Sequence, residues 1–295
     1  MIIVELSGGL GNQMFQYAFG KALSKKSKSS LSFRTDAFEI HSTPRQLELQ
    51  RVFGLQIAEA SDRDLIKAIG IIGKKPYFRN IISKKAFKHL NKKNFNVEDG
   101  RHPSKYFDLD LASTSFFKGY WQSERYFSSC NEEIRKSFTF KPNLNPKNLD
   151  LEKKISSIDS IAIHVRRGDY LTKAGQFTHG VLPDQYYISG IKTLLQKKPN
   201  SEVFAFSDDP EWTQSRILSK IGFGTIVEHN FGLDSYQDMK LMSLCNNIVI
   251  ANSSFSWWAA WLNKNKNKTV IAPRNWFSNK NNSEKNIVPS SWHEI

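Results

Sequence analysis

A chain of 295 residues with 39% apolar and 13% aromatic content has the bulk of a folded protein with room for two ordinary domains, not of a disordered one. Its two cysteines, Cys130 and Cys245, are too few for a disulfide framework or a cysteine metal cluster, and no apolar run reaches the ~18 residues a membrane span needs. The net charge of +14 and pI near 9.6 leave three partner classes open: nucleic acid, an anionic membrane surface and an anionic small substrate.

In chain order, Ile2-Ile3-Val4-Glu5-Leu6 has the pattern of a short buried strand, with no charged-then-apolar leader before it, so a cytosolic protein is expected. Ser7-Gly8-Gly9 ends it, and Leu10-Gly11-Asn12-Gln13-Met14-Phe15-Gln16-Tyr17 leads into a helix from about Gln13. Strand, glycine loop and helix open a Rossmann-like unit. Gly9 and Gly11 match the first glycines of G-x-G-x-x-G, but Met14 stands where the third small residue belongs, and no P-loop lysine follows. The loop therefore lets backbone approach a ligand without specifying a dinucleotide. Asn12 reads either as an N-cap or as a sugar or phosphate contact.

Ser30–Thr35 reads as a second strand, and residues 45–100 as mostly helical and basic. From Arg63 to Lys93 the cations (Lys67, Lys74, Lys84, Lys85, Lys88 among them) alternate with apolar residues at helical spacing, which fits docking on anionic lipid or a solvated helical face. Asp108-Leu109-Asp110 has the form of a metal-binding D-x-D, though so short a pattern is more simply a cap or surface feature. Ser115–Gln122 is expected to be a strand whose end carries aromatics and an amide suited to a sugar. Glu124 to Phe138 is expected to be one helix with Phe127, Cys130, Ile134 and Phe138 inward, both cysteines being buried free thiols. Lys141-Pro142-Asn143-Leu144-Asn145-Pro146 reads as an interdomain linker.

The stretch from Ile161 to Tyr170 organises the second half. Ile161, Ile163 and Val165 fall on one face of a strand and Ala162, His164 and Arg166 on the other; Arg167 follows, and Gly168 lets the chain turn. Guanidiniums at the carboxyl end of a strand sit where an α/β sheet binds ligands, and their donor forks match phosphate oxygens. Salt bridging to Asp169 is the plainer use of such a pair, but a buried strand before it and further loops of the same kind favour a phosphate. Ser201–Phe206 is a strand ending at Ser207-Asp208-Asp209, with Asp209 as cap, Pro210 in the first helical position, and Asp208 free for a ligand such as a guanine edge. Thr225–Glu228 is a strand and Asp238–Cys245 a helix. Asn247–Ala251 is a buried strand running into Asn252-Ser253-Ser254-Phe255, a helix N-terminus suited to phosphate. Thr269–Ala272 completes the sheet, and the Lys/Asn-rich patches 263–268 and 279–286 read as surface loops.

Taken together, Gly8 to Tyr17, His164-Val165-Arg166-Arg167-Gly168-Asp169-Tyr170 and Ala251 to Leu262, with Phe206-Ser207-Asp208-Asp209 and Trp212, resemble the bacterial α-1,2-fucosyltransferases of glycosyltransferase family 11. The likeness runs through nearly the whole chain and is weakest over residues 40–110. It implies an α/β, GT-B-like fold of two Rossmann-like domains facing a central cleft. Residues 1–142 would be the acceptor-side domain with its basic helical insertion, and residues 143–295 the GDP-fucose-binding domain. It also implies inverting transfer of L-fucose from GDP-fucose to the 2-hydroxyl of a galactoside, without metal or other cofactor. The setting would be assembly of O-antigen or another surface polysaccharide. The chain is more distantly similar to protein O-fucosyltransferases. That likeness implies donor contacts at Gly9, Leu10, Gly11, Asn12, His164, Arg166, Asp208, Ser254 and Phe255, to which the phosphate reading of the Arg-Arg strand end and the serine loop adds Arg167 and Ser253.

In such a reaction the diphosphate leaves as a weak base, so what matters is positive charge where negative charge develops, with Arg166 first and Arg167 beside it or structural. The acceptor hydroxyl needs a base, and Asp169, Glu124, Asp36 and His164 all remain open. Arg166, Asn12 and Asp169 stand as candidate catalytic residues. The acceptor would be a galactose-terminated oligosaccharide, lipid-linked if the enzyme works peripherally at the inner face of the cytoplasmic membrane. Two other classes compete. A basic nucleic-acid-binding protein is suggested by charge but lacks any helix-turn-helix, RNP or zinc spacing, so no nucleic-acid partner is expected. A non-catalytic sugar-nucleotide binder is opposed by the intact Arg-Arg strand and serine loop.

Overall fold

Short runs of β-branched and aromatic residues build two parallel sheets in the computed structural model, which describes residues 1–39, 45–73, 75, 94–98, 104–109, 111, 113–278 and 287–295. The chain divides into two units, Met1–Lys141 and Pro142–Ile295. In the first, β1 (Ile2–Glu5) lies between β2 (Leu31–Arg34) and β4 (Ser115–Lys118), with β3 (Phe95–Val97) beyond β4. Val4 pairs with Phe33 on one side and Phe117 on the other, so β1 is buried throughout. Helix α1 (Leu10–Ser27) connects β1 to β2 and buries Met14, Phe15, Ala18, Phe19 and Leu23. It starts at Leu10, not near Gln13, because Gly9 already serves as its N-cap.

Three expectations for this unit are corrected. The strand expected over Ser115–Gln122 stops at Lys118, because Trp121 turns to φ 55 and buries itself. The helix expected over Glu124–Phe138 is two 3-10 turns, Glu124–Tyr126 and Ser128–Cys130, followed by a helix only over Asn131–Ser137. Phe127 and Cys130, both at φ −137, interrupt it, yet Phe127, Cys130, Ile134 and Phe138 are all buried. Within the basic region, Leu49–Phe53 is helical and Asp62–Gly73 is helical but broken at Gly70 (φ 74), while Phe95–Val97 is a strand that the charge pattern concealed. Lys84, Lys85 and Lys88 lie outside the described residues, as does Asp110. Asp108 is exposed and pairs with Lys26 at 3.5 Å.

The second unit begins with the helix Pro146–Ser157, capped by Asn145, so the expected linker is already structured at its end. Its sheet places β10 (His293–Glu294), β9 (Val270–Ala272), β8 (Asn247–Val249), β5 (Ser160–Val165), β6 (Glu202–Ser207) and β7 (Thr225–Val227) side by side, all parallel. Thr269–Ala272 therefore does not complete it; β10 extends it. Helices Asp184–Lys197, Tyr236–Leu244 and Ser254–Leu262 accompany the sheet. Ile161, Ile163 and Val165 pack with Tyr187, Ile191 and Leu194. The opposite face of β5 is buried too, with Ala162 at 0% and His164 at 6% exposure, because a parallel sheet covered on both faces leaves no solvent side.

Both sheets reverse direction. From β1 the chain goes to β2 and later places β4 on the other side; from β5 it goes to β6 and β7 and later places β8 on the other side. Open parallel sheets take ligands in the crevice outside the carboxyl ends at such a reversal. In the first unit that crevice is flanked by the loop after Glu5 and the turn after Lys118. In the second it is flanked by the segments after Val165 and Val249.

Candidate active site

At the carboxyl end of β5, Arg166 enters a cluster of charges. Its Nη2 donates to Asp169 Oδ1 at 2.7 Å, and its Nη1 lies 2.9 Å from Asp208 Oδ2. The guanidinium also sits over the Tyr170 ring at 5.7 Å. Burial opposes its charge, but Asp208 and Asp169 outweigh burial and raise its pKa. Arg167 turns elsewhere: its Nε donates to Asp209 Oδ2 at 2.9 Å, and its guanidinium stacks on Trp212 at 3.9 Å. Its backbone amide donates to Asp208 Oδ1 at 2.8 Å. Asp208 is therefore not free as expected, since both oxygens tie down the Arg-Arg segment. Asp209 caps the turn Pro210–Thr213 by accepting the Trp212 amide, as its position foretold. Gly168 serves by its size: a methyl there would lie 2.6 Å from Asp208 Oδ2.

Tyr170 joins this cluster to the loop after β8. Its hydroxyl donates to the Asn252 carbonyl at 3.0 Å, and its ring stacks on His179 at 4.5 Å. Asn252 Nδ2 reaches the carbonyls of His179 and Trp276, fixing the loop. Ser253 caps the helix Ser254–Leu262 by accepting the Phe255 amide, while Ser254 and Phe255 remain half-buried. His164 stands 5.6 Å from the Phe255 ring, and its buried Nδ1 has no hydrogen-bond partner among the described residues. Burial, reinforced by the Arg166 charge, lowers its pKa to about 3, so it is a neutral imidazole at physiological pH. The second unit thus gathers His164, Arg166, Asp169, Asp208 and Ser253–Phe255 at one reversal of its sheet.

In the first unit, Gly8 takes φ 76, and a methyl there would lie 2.8 Å from Asn12 Nδ2. Gly9 is the N-cap of α1, Leu10 is buried, and Gly11 lies within the helix. Asn12 is not the cap; its Oδ1 accepts from Gln122 Nε2 at 2.8 Å. The Glu48 carboxylate lies at the start of α1 against the Leu10 amide. Burial raises its pKa, while Arg51 and Arg45 act against that shift. Of the remaining candidate bases, Asp36 pairs with Arg34 at 2.8 Å and Glu124 lies in a 3-10 turn.

Several residues that hold these loops escaped the sequence reading. Gln13 and Gln16 are wholly buried. Gln13 Nε2 donates to the carbonyls of Gly8 and Gln46, both at 2.9 Å; Gln16 accepts the Ser7 amide at 2.9 Å and donates to the Gly119 carbonyl at 3.0 Å. Amides on an otherwise apolar helix were the available signal. Trp212 and Tyr170, which support Arg167 and Arg166, were visible in the sequence only as members of the family motifs, with no role assigned to them.

The family model described as Glycosyl transferase family 11 matches residues 1–295. The Alpha-1,2-colitosyltransferase of Escherichia coli is 33% identical over 305 residues, covering 100% of this chain and 99% of that protein. The O-antigen biosynthesis glycosyltransferase WbnK of Escherichia coli is 32% identical, covering 97% and 98%. The crystal structure of fucosyltransferase NodZ from Bradyrhizobium matches with a TM-score of 0.54 at 12% identity, covering 88% of this chain and 91% of that one, a likeness of fold alone.

Proposed function

Because the chain belongs to glycosyl transferase family 11, we propose that it transfers L-fucose from GDP-fucose to the 2-hydroxyl of a galactoside, with inversion and without a metal. Arg166 carries this reading: it stands at the reversal of the second sheet, joined through Tyr170 to the N-terminus of helix Ser254–Leu262. A guanidinium fork and a helix N-terminus are both suited to a diphosphate. As the anomeric C–O bond breaks, charge accumulates on the departing GDP, and Arg166 neutralises it.

A diphosphate draws the Arg166 fork from Asp169, whose side chain is 46% exposed, more readily than from Asp208 at 24%. Asp169, so released, takes the proton of the attacking hydroxyl as the new C–O bond forms. His164 is a poor base for that step, since its pKa near 3 lies far below the operating pH. Asp208 stays with Arg166 and the Arg167 amide and keeps the strand end in place. Asn12 and the glycine loop of the first unit are, on the same reading, sugar or phosphate contacts.

The donor sugar has a rival, favoured by the relative named for colitosyl transfer. The purified chain, offered GDP-fucose and GDP-colitose with a panel of β-galactosides, should give an α-1,2-linked product, and kcat/KM for the two donors decides between them. Absence of transfer from either donor to every galactoside refutes the proposal.

A further inference from the structure

In the first unit, the turn Gly119–Gln122 after β4 is built to turn one aromatic ring outward. Trp121 takes a left-handed backbone, φ 55, which bulky residues rarely adopt. Its indole is wholly buried, stacked on Phe19 at 3.9 Å, with Tyr106 and Tyr126 edge-on to it. Glu98 Oε2 accepts the amides of Tyr120 and Trp121 at 2.7 and 2.9 Å, and Gln16 holds the Gly119 carbonyl. A methyl on Gly119 would lie 2.4 Å from Glu98 Cβ. Ending a strand does not require so many restraints, and strain maintained by its surroundings points towards function.

With Trp121 inside, Tyr120 is left 45% exposed. It stands at the reversal of the four-stranded sheet, followed by Gln122, which donates to Asn12. Partial desolvation, then the Glu5 and Glu98 carboxylates, raise its phenol pKa, so it is a neutral hydrogen-bond donor at physiological pH. Those carboxylates, one of them paired with Lys118 at 3.3 Å, make the neighbourhood unsuited to a phosphate.

We propose that Tyr120 and the Asn12–Gln122 amide pair form a subsite for a neutral pyranose. The C–H face of the sugar lies on the Tyr120 ring, and its hydroxyls meet amides that both donate and accept. The inference deepens the proposed function by placing the acceptor galactoside at the switch point of the first unit, and it rests on that reading.

The test combines kinetics with a binding measurement that needs no turnover. Tyr120→Ala should raise the acceptor KM roughly tenfold, the scale of a lost aromatic contact, while the GDP-fucose KM stays within about twofold. Tyr120→Phe, which keeps the ring, should recover most of the loss. Saturation-transfer NMR with methyl β-galactoside and GDP should show binding to the wild-type chain and little to Tyr120→Ala. An unchanged acceptor KM, an equal rise in both KM values, or equal saturation transfer in the two proteins overturns the subsite. Sugar binding without turnover from either GDP-sugar refutes the proposed function and leaves the subsite standing.

Discussion

His164 gives a pH dependence that can be worked from the structure. The ring is 6% exposed, its Nδ1 lacks a partner among the described residues, and Arg166 lies two positions on. Burial first, and that charge second, bring its pKa from an ordinary 6.5 to about 3. Unfolding returns the ring to water, so between those values the unfolded chain binds a proton that the folded chain does not. Stability from keeping the ring neutral is complete above pH 6.5 and falls by ~1.4 kcal/mol per unit as pH drops towards 3. At pH 5 the loss is about 2 kcal/mol. Urea unfolding at pH 5 and 8, followed by tryptophan fluorescence, reads the second unit well, since every tryptophan except Trp121 lies there. His164→Gln removes the titration, while His179 and His229 contribute equally to both proteins. The wild type should lose about 2 kcal/mol more than the variant between the two pH values. Equal losses would refute the buried, neutral state of His164.

Gly168→Ala places a methyl 2.6 Å from Asp208 Oδ2. It should lower kcat/KM about tenfold or more by displacing Arg166, with little change in thermal midpoint, because misplacement near the reacting atoms costs more rate than stability. Gln16→Leu leaves the Ser7 amide and Gly119 carbonyl without their partner; urea unfolding should show a loss of about 2–4 kcal/mol. Transfer activity should survive EDTA; abolition by chelator with recovery on adding manganese contradicts the metal-free reading.

The sequence made the strand ends legible. Strands 161–165, 201–206 and 247–251 carry β-branched and aromatic runs that local pattern alone identifies, and the motifs after them fall at one reversal of the sheet. Asp209 was readable as a cap because Pro210 marks the first helical position. What escaped was set by tertiary contacts. The helix expected after Ser123 breaks because Phe127 and Cys130 reach the core by twisting the backbone, not by helical phase. The strand after Ser115 ends early because Phe19 offers Trp121 a face on which to stack. Asp208 looked available because nothing in the sequence shows the Arg167 amide and Arg166 Nη1 converging on it. The strand Phe95–Val97 lay concealed in a region whose charge pattern suggested helix.

Steady-state turnover of Arg166→Ala, with GDP-fucose and a galactoside both saturating, tests the central claim most directly. Loss of the donor that neutralises the departing diphosphate should lower kcat by roughly a hundred- to a thousandfold. A kcat within about threefold of wild type would show that the charge on the leaving group is met elsewhere, in contradiction to this account.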